Sequence, residues 1–411
     1  MTAGAPRGLN TVESVFREAY GQAVATLVRV FGDITLAEDA VQDAFVVANE
    51  RWVGDGIPPN PAGWIVTTAR NRAVDLVRRS ARGRELHEQL KVDAQGSGDA
   101  GDLEEVGAVK DDRLRLIFTC CHPALRTEHQ VALTLRLLGG LSIEEVARSF
   151  LVSEGAMAKR LVRAKYKIKA ANISYRVPAM ADLPDRLRSV LSVLYLIYNS
   201  GLDDLDRPVL RREAIRLSRA LVELMPDEPE AAGLLALMIL SESRVPARTG
   251  KGSLVLLRDQ NRTRWDRVAI EEGQAIVQRC LRRDQPGPFQ LQAAIQAVHC
   301  DAESFDATDW TQIVILYDHL FLFMPTAVVA LNRAIAIGEV EGPGAALAAL
   351  DAIAPALDEY QWWHAARGSA LRLLDRPEAA RAAYQSAADL ATTDSERRFL
   401  AQQVIELADG V

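Results

Sequence analysis

The sequence predicts an all-α protein. Three observations lead there: strand signals are almost absent, Ala, Leu, Arg and Glu recur at helical spacing, and Gly and Pro gather in clusters between the periodic runs. The clusters fall at Gly54–Pro61, Gly96–Gly101, Val177–Pro184, Pro246–Gly252 and Gly342–Gly344. A length of 411 residues corresponds to two or three domains at roughly 150 residues each. With 49% hydrophobic and 25% charged residues, the composition is that of a globular protein and argues against wholesale disorder. No segment approaches the roughly 18 uninterrupted apolar residues of a membrane span, and Met1–Asn10 lacks the apolar core of a signal peptide. Four cysteines, two of them adjacent (Cys120 and Cys121), make no disulfide framework. The expectation is a cytoplasmic protein with reduced thiols and no membrane partner.

Charge is informative only when divided. The whole chain carries −7, but residues 1–172 hold 23 basic and 22 acidic residues, whereas residues 173–411 hold 25 and 33. Within the first part, Trp64–Arg84 has six arginines (Arg70, Arg72, Arg78, Arg79, Arg82, Arg84) against one acid, Asp75. Ala156–Ala171 carries Lys159, Arg160, Arg163, Lys165, Lys167 and Lys169 with no acid. Between them Val92–Val109 is Gly- and Ala-rich, contains five acids and no base, and reads as a flexible acidic tether.

In chain order, the first signal is Ala37-Glu38-Asp39-Ala40-Val41-Gln42-Asp43-Ala44-Phe45, an amphipathic acidic helix that runs on to Trp52. Past the Pro58–Pro61 loop, Asn60–Arg79 sets an exposed aromatic (Trp64), an amide (Asn71) and arginines on one helix. Unstacked bases need flat apolar platforms and backbone cations, so this surface suits single-stranded or melted DNA. In Glu128–Ala170, Gln130–Leu138 is an apolar helix stopped by Gly139–Gly140. Ser142-Ile143-Glu144-Glu145 is a capping box opening a short helix, Ile143–Phe150, and Ser153 caps the next. Met157, Leu161, Ala164 and Ile168 share one face of that last helix, with Lys159, Arg160, Arg163 and Lys167 largely opposite. A lone cationic helix is most often a solvated surface. Two capped helices joined by a tight turn, the second carrying the cations, form the pattern of a DNA-reading helix-turn-helix.

These two modules resemble regions two and four of bacterial extracytoplasmic-function (ECF) sigma factors, whose motifs read roughly A-E-D-x-x-Q-D-x-F, then N-P-x-x-W-L-x-x-x-A-R-N-x-x-x-D-x-x-R-R, then a helix-turn-helix. Phe118–Leu125, Leu135–Leu141 and the long helical tail are similar to the ECF subgroup with a TPR-like C-terminal extension. The resemblance implies residues 1–84 as region two, 85–110 as linker, 111–176 as region four and 177–411 as extension. It implies that Asp39, Gln42, Asp43, Phe45 and Trp52 dock on the β′ clamp helices of core RNA polymerase, and that region four meets the β flap. Trp64, Arg70, Asn71, Arg72, Arg78 and Arg79 would contact the melted minus-ten strand, with the Gly54–Pro61 loop capturing a flipped base. Ser153, Lys159, Arg160, Arg163 and Lys167 would read the minus-thirty-five element. Ala158 and Val162 depart from the usual cation and the frequent aromatic, so base preference does not transfer. The linker would thread the polymerase cleft.

In the extension, Gly342–Leu350 aligns with Arg376–Tyr384 at an offset of 34, the TPR period, with small residues where paired helices approach. Such a solenoid offers a concave surface for a protein or peptide and suggests regulation in cis or docking of an activator. A generic helical bundle with chance Ala spacing is the plainer alternative. Arg244–Arg267 reads as a loop with several arginines and Trp265.

Other signals do not carry chemistry. Gly250-Lys251-Gly252-Ser253 lacks the spacing of a phosphate-binding loop. Cys120-Cys121-His122 diverge by about 100° each around a helix, which favours packing over metal. Cys280 and Cys300 sit in apolar runs, and His299 and His364 have no nucleophile at motif spacing. The sequence therefore predicts no catalytic residue, metal or cofactor. The competing reading is a TPR-containing helix-turn-helix regulator that binds duplex DNA without polymerase; it leaves the Asp39–Phe45 helix and Trp64–Arg79 without a task.

Overall fold

The computed structural model describes residues 12–79, 112–150, 152–203, 208–250, 253–391 and 393–408. These are helical nearly throughout, with one two-residue antiparallel pairing, Thr249–Gly250 with Ser253–Leu254. Contacts group residues 1–200 into one compact unit and 201–411 into a second. The tether 85–110, like Arg82 and Arg84, lies outside the described residues.

In the first unit α1 (Val12–Phe31), α2 (Ile34–Asp55) and α3 (Pro61–Arg79) form a three-helix bundle. Asp33 caps α2 by accepting from the amides of Thr35 and Leu36. The buried stripes follow helical spacing: Ala37, Val41, Ala44, Ala48 and Trp52 on α2, and Ile65, Ala69, Ala73 and Val77 on α3. The second module comprises α4 (residues 112–120), α5 (Thr127–Leu133) running into a π-helical turn (Thr134–Leu138), α6 (Ile143–Ser149) and α7 (Glu154–Ala170). Gly140 ends the π turn at φ +71, where a Cβ would lie 3.0 Å from the Phe16 ring.

The two modules are packed against each other within this unit. At Gly21 of α1 a Cβ would meet the Leu138 carbonyl oxygen at 2.8 Å, so only glycine admits that approach. The Tyr175 hydroxyl lies 2.8 Å from the Ala25 carbonyl and 3.0 Å from that of Asp112, and Arg29 Nε donates to the buried Asp112 carboxylate at 2.7 Å. Buried Glu38 on α2 accepts from Arg136 Nε and pairs with Lys165 Nζ, both at 2.5 Å. After α7 the chain enters α8 (Leu183–Asp203), whose Arg186 donates to the Phe118 carbonyl oxygen at 2.6 Å.

The second unit is a run of helical hairpins. α9 (Pro208–Leu224) is followed by α10 (Pro229–Glu242), apolar on nearly all sides and packed on α11 (Arg267–Leu281) and α12 (Pro288–Asp301). Glu230 accepts from the Phe289 and Gln290 amides, satisfying the orphan donors that open α12. The stretch 244–267, expected as a loop, is instead short turns and the small hairpin. Arg262 fixes it by donating to the His299 and Ala302 carbonyls, both at 2.7 Å, and stacking 4.5 Å from the buried Trp265 ring.

Then come α13 (Trp310–Phe323), α14 (Ala327–Glu341), α15 (Pro343–Ala352), α16 (Ala354–Leu357), α17 (Gln361–Leu373), α18 (Pro377–Asp389) and α19 (Asp394–Ala408). The α14–α15 hairpin recurs as α17–α18, with both helix starts displaced by 34 residues. Small residues recur with it: Ala334 and Gly368, and Ala346 and Ala380, all buried. Trp363 fills the space between Leu331, Leu350 and Leu357 and donates to the Leu350 carbonyl at 2.9 Å. Trp363→Ala should cost roughly 3–5 kcal/mol of the second unit's stability, read as a lowered denaturant midpoint.

Candidate nucleic-acid interface

The helix-turn-helix is built by local chemistry. The Glu145 amide donates to Ser142 Oγ at 3.1 Å while the Ser142 amide donates to the Glu145 carboxylate at 2.7 Å, the full capping box. Ser153 Oγ accepts from the Ala156 amide and starts α7. Met157, Leu161, Ala164 and Ile168 are buried, as their spacing predicts, and this orients the opposite face outward. Lys159, Arg163 and Lys167 are exposed there, while Arg160 is half-buried with its guanidinium 5.1 Å from the Phe150 ring centroid. Lys165 is turned away to Glu38.

A cleft of about 620 Å³ opens along this face, lined by Arg126, His129, Ser153, Lys159, Arg160 and Arg163, with Glu128 the one acid. Burial, then Arg126, Arg160 and Arg163, holds His129 below the ordinary histidine range. The cleft thus carries a positive field suited to a polyanion. Val162 and Tyr166, 65% and 72% exposed, stand among the cations as apolar contact surface.

On α3, Asn60 caps the helix by accepting from the Gly63 amide at 2.9 Å. Arg70, Asn71, Arg72 and Arg78 are exposed, Arg78 lying 4.0 Å from Asp75. Arg79 is the last residue of the helix. Trp64, expected as an exposed platform, is half-buried, because its ring packs edge-on against Trp52 at 5.2 Å.

On α2, Asp39 and Asp43 are exposed, and Gln42 is half-buried with its amide nitrogen 3.1 Å from Glu38 Oε1. Phe45 and Trp52 do not join that surface. Both are only 6% exposed, since they fall on the core stripe of α2, Phe45 against the rings of Phe16 and Tyr20 and Trp52 against Trp64. The docking surface expected of α2 is therefore reduced to Asp39, Gln42 and Asp43. Cys120 and Cys121 are buried, and Cys121, its thiol pushed up to about 12 by burial, contacts the Thr134 hydroxyl.

Comparison with known proteins agrees with this geometry. The family model for Sigma-70 region 2 matches residues 15–83, and that for Sigma-70, region 4 matches residues 115–168. Two Mycobacterium tuberculosis relatives (strains CDC 1551 / Oshkosh and ATCC 25618 / H37Rv), each described as a probable ECF RNA polymerase sigma factor SigI, are 25% identical over 168 residues, 40% of this chain and 57% of theirs. The chain belongs to the ECF-like sigma factors with a C-terminal extension. An uncharacterized protein of Rhizobium meliloti (strain 1021) matches this sigma factor along nearly its whole length, 42% identical over 94% of this chain and 93% of the relative. Within the extension, residues 186–281 match a family of unknown function (DUF6596). The solved TPR domain of P58(IPK) covers 90% of the chain and 98% of its own at 13% identity, but its TM-score of 0.26 is too low to carry an argument.

Glu38, Arg136 and Lys165 escape sequence reasoning, because the ion cluster joins positions 98 and 127 residues apart. Arg163→Ala should weaken promoter-fragment binding and lower the slope of log K against log salt by about 1, measured by fluorescence anisotropy across a salt series.

Proposed function

We propose that this sigma factor binds core RNA polymerase and directs promoter recognition, melting and initiation, with its extension modulating that activity. The observation that carries this is the pairing of two unlike surfaces: a capped helix with exposed Lys159, Arg163 and Lys167, and a second helix bearing exposed Arg70, Asn71 and Arg72. A regulator that only grips duplex DNA needs the first and not the second.

In this reading Asp39, Gln42 and Asp43 dock on the β′ clamp helices, and residues 111–176 meet the β flap. Arg70, Asn71, Arg72, Arg78 and Arg79 hold the backbone of the melted minus-ten strand, with the accessible part of Trp64 beside it. Ser153, Lys159, Arg160, Arg163 and Lys167 approach phosphates and base edges of the minus-thirty-five duplex. Residues 85–110 tether the two, and the protein acts in the cytoplasm. The extension, residues 177–411, takes a protein or peptide ligand on its repeat surface.

Sigma factor families are non-enzymatic regulators, and binding free energy is what such a protein supplies. Core polymerase provides affinity for any duplex; the sigma factor adds the difference between promoter and bulk DNA, on the order of 4–10 kcal/mol for specific sites.

Run-off transcription from a candidate promoter with purified core polymerase tests this. A transcript made only when the chain is added, and at least about tenfold less with Asp39→Lys/Asp43→Lys, is the expected result, since reversed charges at a complementary interface cost several kcal/mol. Failure to bind core polymerase overturns the proposal. The role of the extension is tested by truncation beyond residue 200 rather than at 176, which would remove the Arg186 contact to Phe118. Unchanged promoter activation by that truncated chain would remove the regulatory role.

A further inference from the structure

We infer that residues 253–266 are a flap closed over the repeats of the second unit, filling in cis a groove in which an extended peptide partner binds. The partner that fits shares the flap's chemistry, an aliphatic run followed by arginine. The inference rests on the reading of the extension as a binder of protein or peptide, and adds to it how that surface is covered and what it recognises.

The segment is longer than its connection requires. The Asp266 amide donates to the Ser243 carbonyl at 2.9 Å, so the end of α10 and the start of α11 already meet. Roughly 2–8 residues serve most helix–helix connections, yet here the chain leaves at Ser243 and returns only at Asp266. What lies between crosses the array. Near the base, Arg262 donates to the His299 and Ala302 carbonyls at the end of α12. Further out, Arg258 stacks 4.6 Å from the Phe305 ring and donates to the Glu339 carboxylate of α14 at 3.1 Å. Beyond that, the strand Ser253–Leu254 lies against α19. As the segment is followed back from Arg262 to Ser253, its partners advance from α12 through α14 to α19. A chain laid across successive repeats follows the path of an extended ligand in the groove of a helical solenoid.

These contacts also define what the groove accepts. Leu254, Val255 and Leu257 are half-buried, while Leu256 between them is exposed. Arg258 finds a ring face and a carboxylate together, a pairing that favours a planar guanidinium over an ammonium. Residues 254–264 carry Arg258, Arg262 and Arg264 against one acid, Asp259, whereas residues 173–411 as a whole hold 25 basic and 33 acidic residues. Flap and surroundings are therefore opposite in sign.

The flap is fastened at its base and lightly held further out. Trp265 at the base is 3% exposed, with the Arg262 and Arg244 guanidinium carbons 4.5 and 5.8 Å from its ring centroid. The Arg258–Glu339 pair instead faces solvent, its arginine side chain 52% exposed, and pairs of that kind contribute little. The outer part therefore swings free at small cost while the base stays folded. A peptide bearing the same arginine then takes its place on Glu339 and Phe305.

The test uses the full chain in two measurements. For the first, dyes are placed on Asp259→Cys in the flap and Ala401→Cys in α19; both positions are exposed and the four native cysteines are buried, so labelling selects the introduced pair. Single-molecule energy transfer should be high with the flap otherwise unaltered. Arg258→Ala, which removes ion pair and ring contact together, should raise the lower-transfer population about tenfold. Glu339→Gln, which removes the ion pair alone, should raise it about threefold, and Arg264→Ala should leave it unchanged. For the second, a fluorescein-labelled synthetic peptide of residues 254–264 is titrated by anisotropy. It should bind the Arg258→Ala chain about tenfold more tightly than wild type, because a closed flap reduces apparent affinity by the open fraction. It should bind Glu339→Gln more weakly than Arg258→Ala, because the carboxylate it needs is gone. Should Arg258→Ala fail to fold by circular dichroism, Arg258→Lys, which keeps the charge but loses the planar stack, replaces it. Lower transfer in the unaltered flap, a flap that stays closed in both variants, or equal peptide binding by wild type and Arg258→Ala overturns the cis occupant. A flap that opens while no chain binds the peptide overturns the reading of this surface as a peptide site, and the partner assignment with it.

Discussion

The arrangement of the first unit depends on one carboxylate. Glu38 is buried, and a buried carboxylate without partners would cost several kcal/mol. Arg136 and Lys165 both answer it, and neither belongs to the same module. Besides the cluster, the joints between the modules include two glycine approaches, a tyrosine hydroxyl and the Arg29–Asp112 pair. The cluster also sorts the cations of α7: Lys165 serves the interior while Lys159, Arg163 and Lys167 stay free for an external polyanion. One helix thus divides its positive charge between holding the fold and presenting a surface.

The same division appears at chain scale. The net charge of −7 hides a nearly neutral sigma portion and an acidic extension. Within the sigma portion, the charges exposed on α2 are mostly acids and those on α3 mostly arginines. Asp39 and Asp43 point outward from α2, and Arg70, Arg72 and Arg78 point outward from α3, because in each helix the apolar stripe fixes which side faces water. An acidic face on α2 and a basic face on α3 are then a consequence of ordinary amphipathic folding.

Much of this was legible in the sequence, for identifiable reasons. Helix caps are local, so Ser142, Glu145 and Ser153 announce α6 and α7 without knowledge of the fold. Helical spacing is local too, and it correctly buries Met157, Leu161, Ala164 and Ile168. The offset of 34 between Pro343 and Pro377 marks two successive helical hairpins. Reading failed where a motif match outran the helical wheel. Phe45 and Trp52 were expected at a docking surface, yet Val41, Phe45, Ala48 and Trp52 form one buried stripe, which the same spacing rule already implied. Trp64 lost much of its exposure to Trp52, a contact set by how α2 and α3 cross. The Glu38 cluster was beyond reach, since nothing local links positions 38, 136 and 165. The 244–267 segment failed likewise, its order coming from Arg262 reaching carbonyls about forty residues downstream on another helix.

The central claim is that Glu38, Arg136 and Lys165 hold the two modules of the first unit together. Hydrogen exchange measured by mass spectrometry addresses it directly, by comparing the wild-type chain with the Lys165→Met variant. The account predicts strong protection of the Thr134–Leu141 amides and of α1 around Gly21 in the wild-type chain. It further predicts faster exchange of Thr134–Leu141 in the variant, with the capped helices α6 and α7 staying protected. Equal protection of Thr134–Leu141 in both chains would contradict it, as would fast exchange there in the wild type.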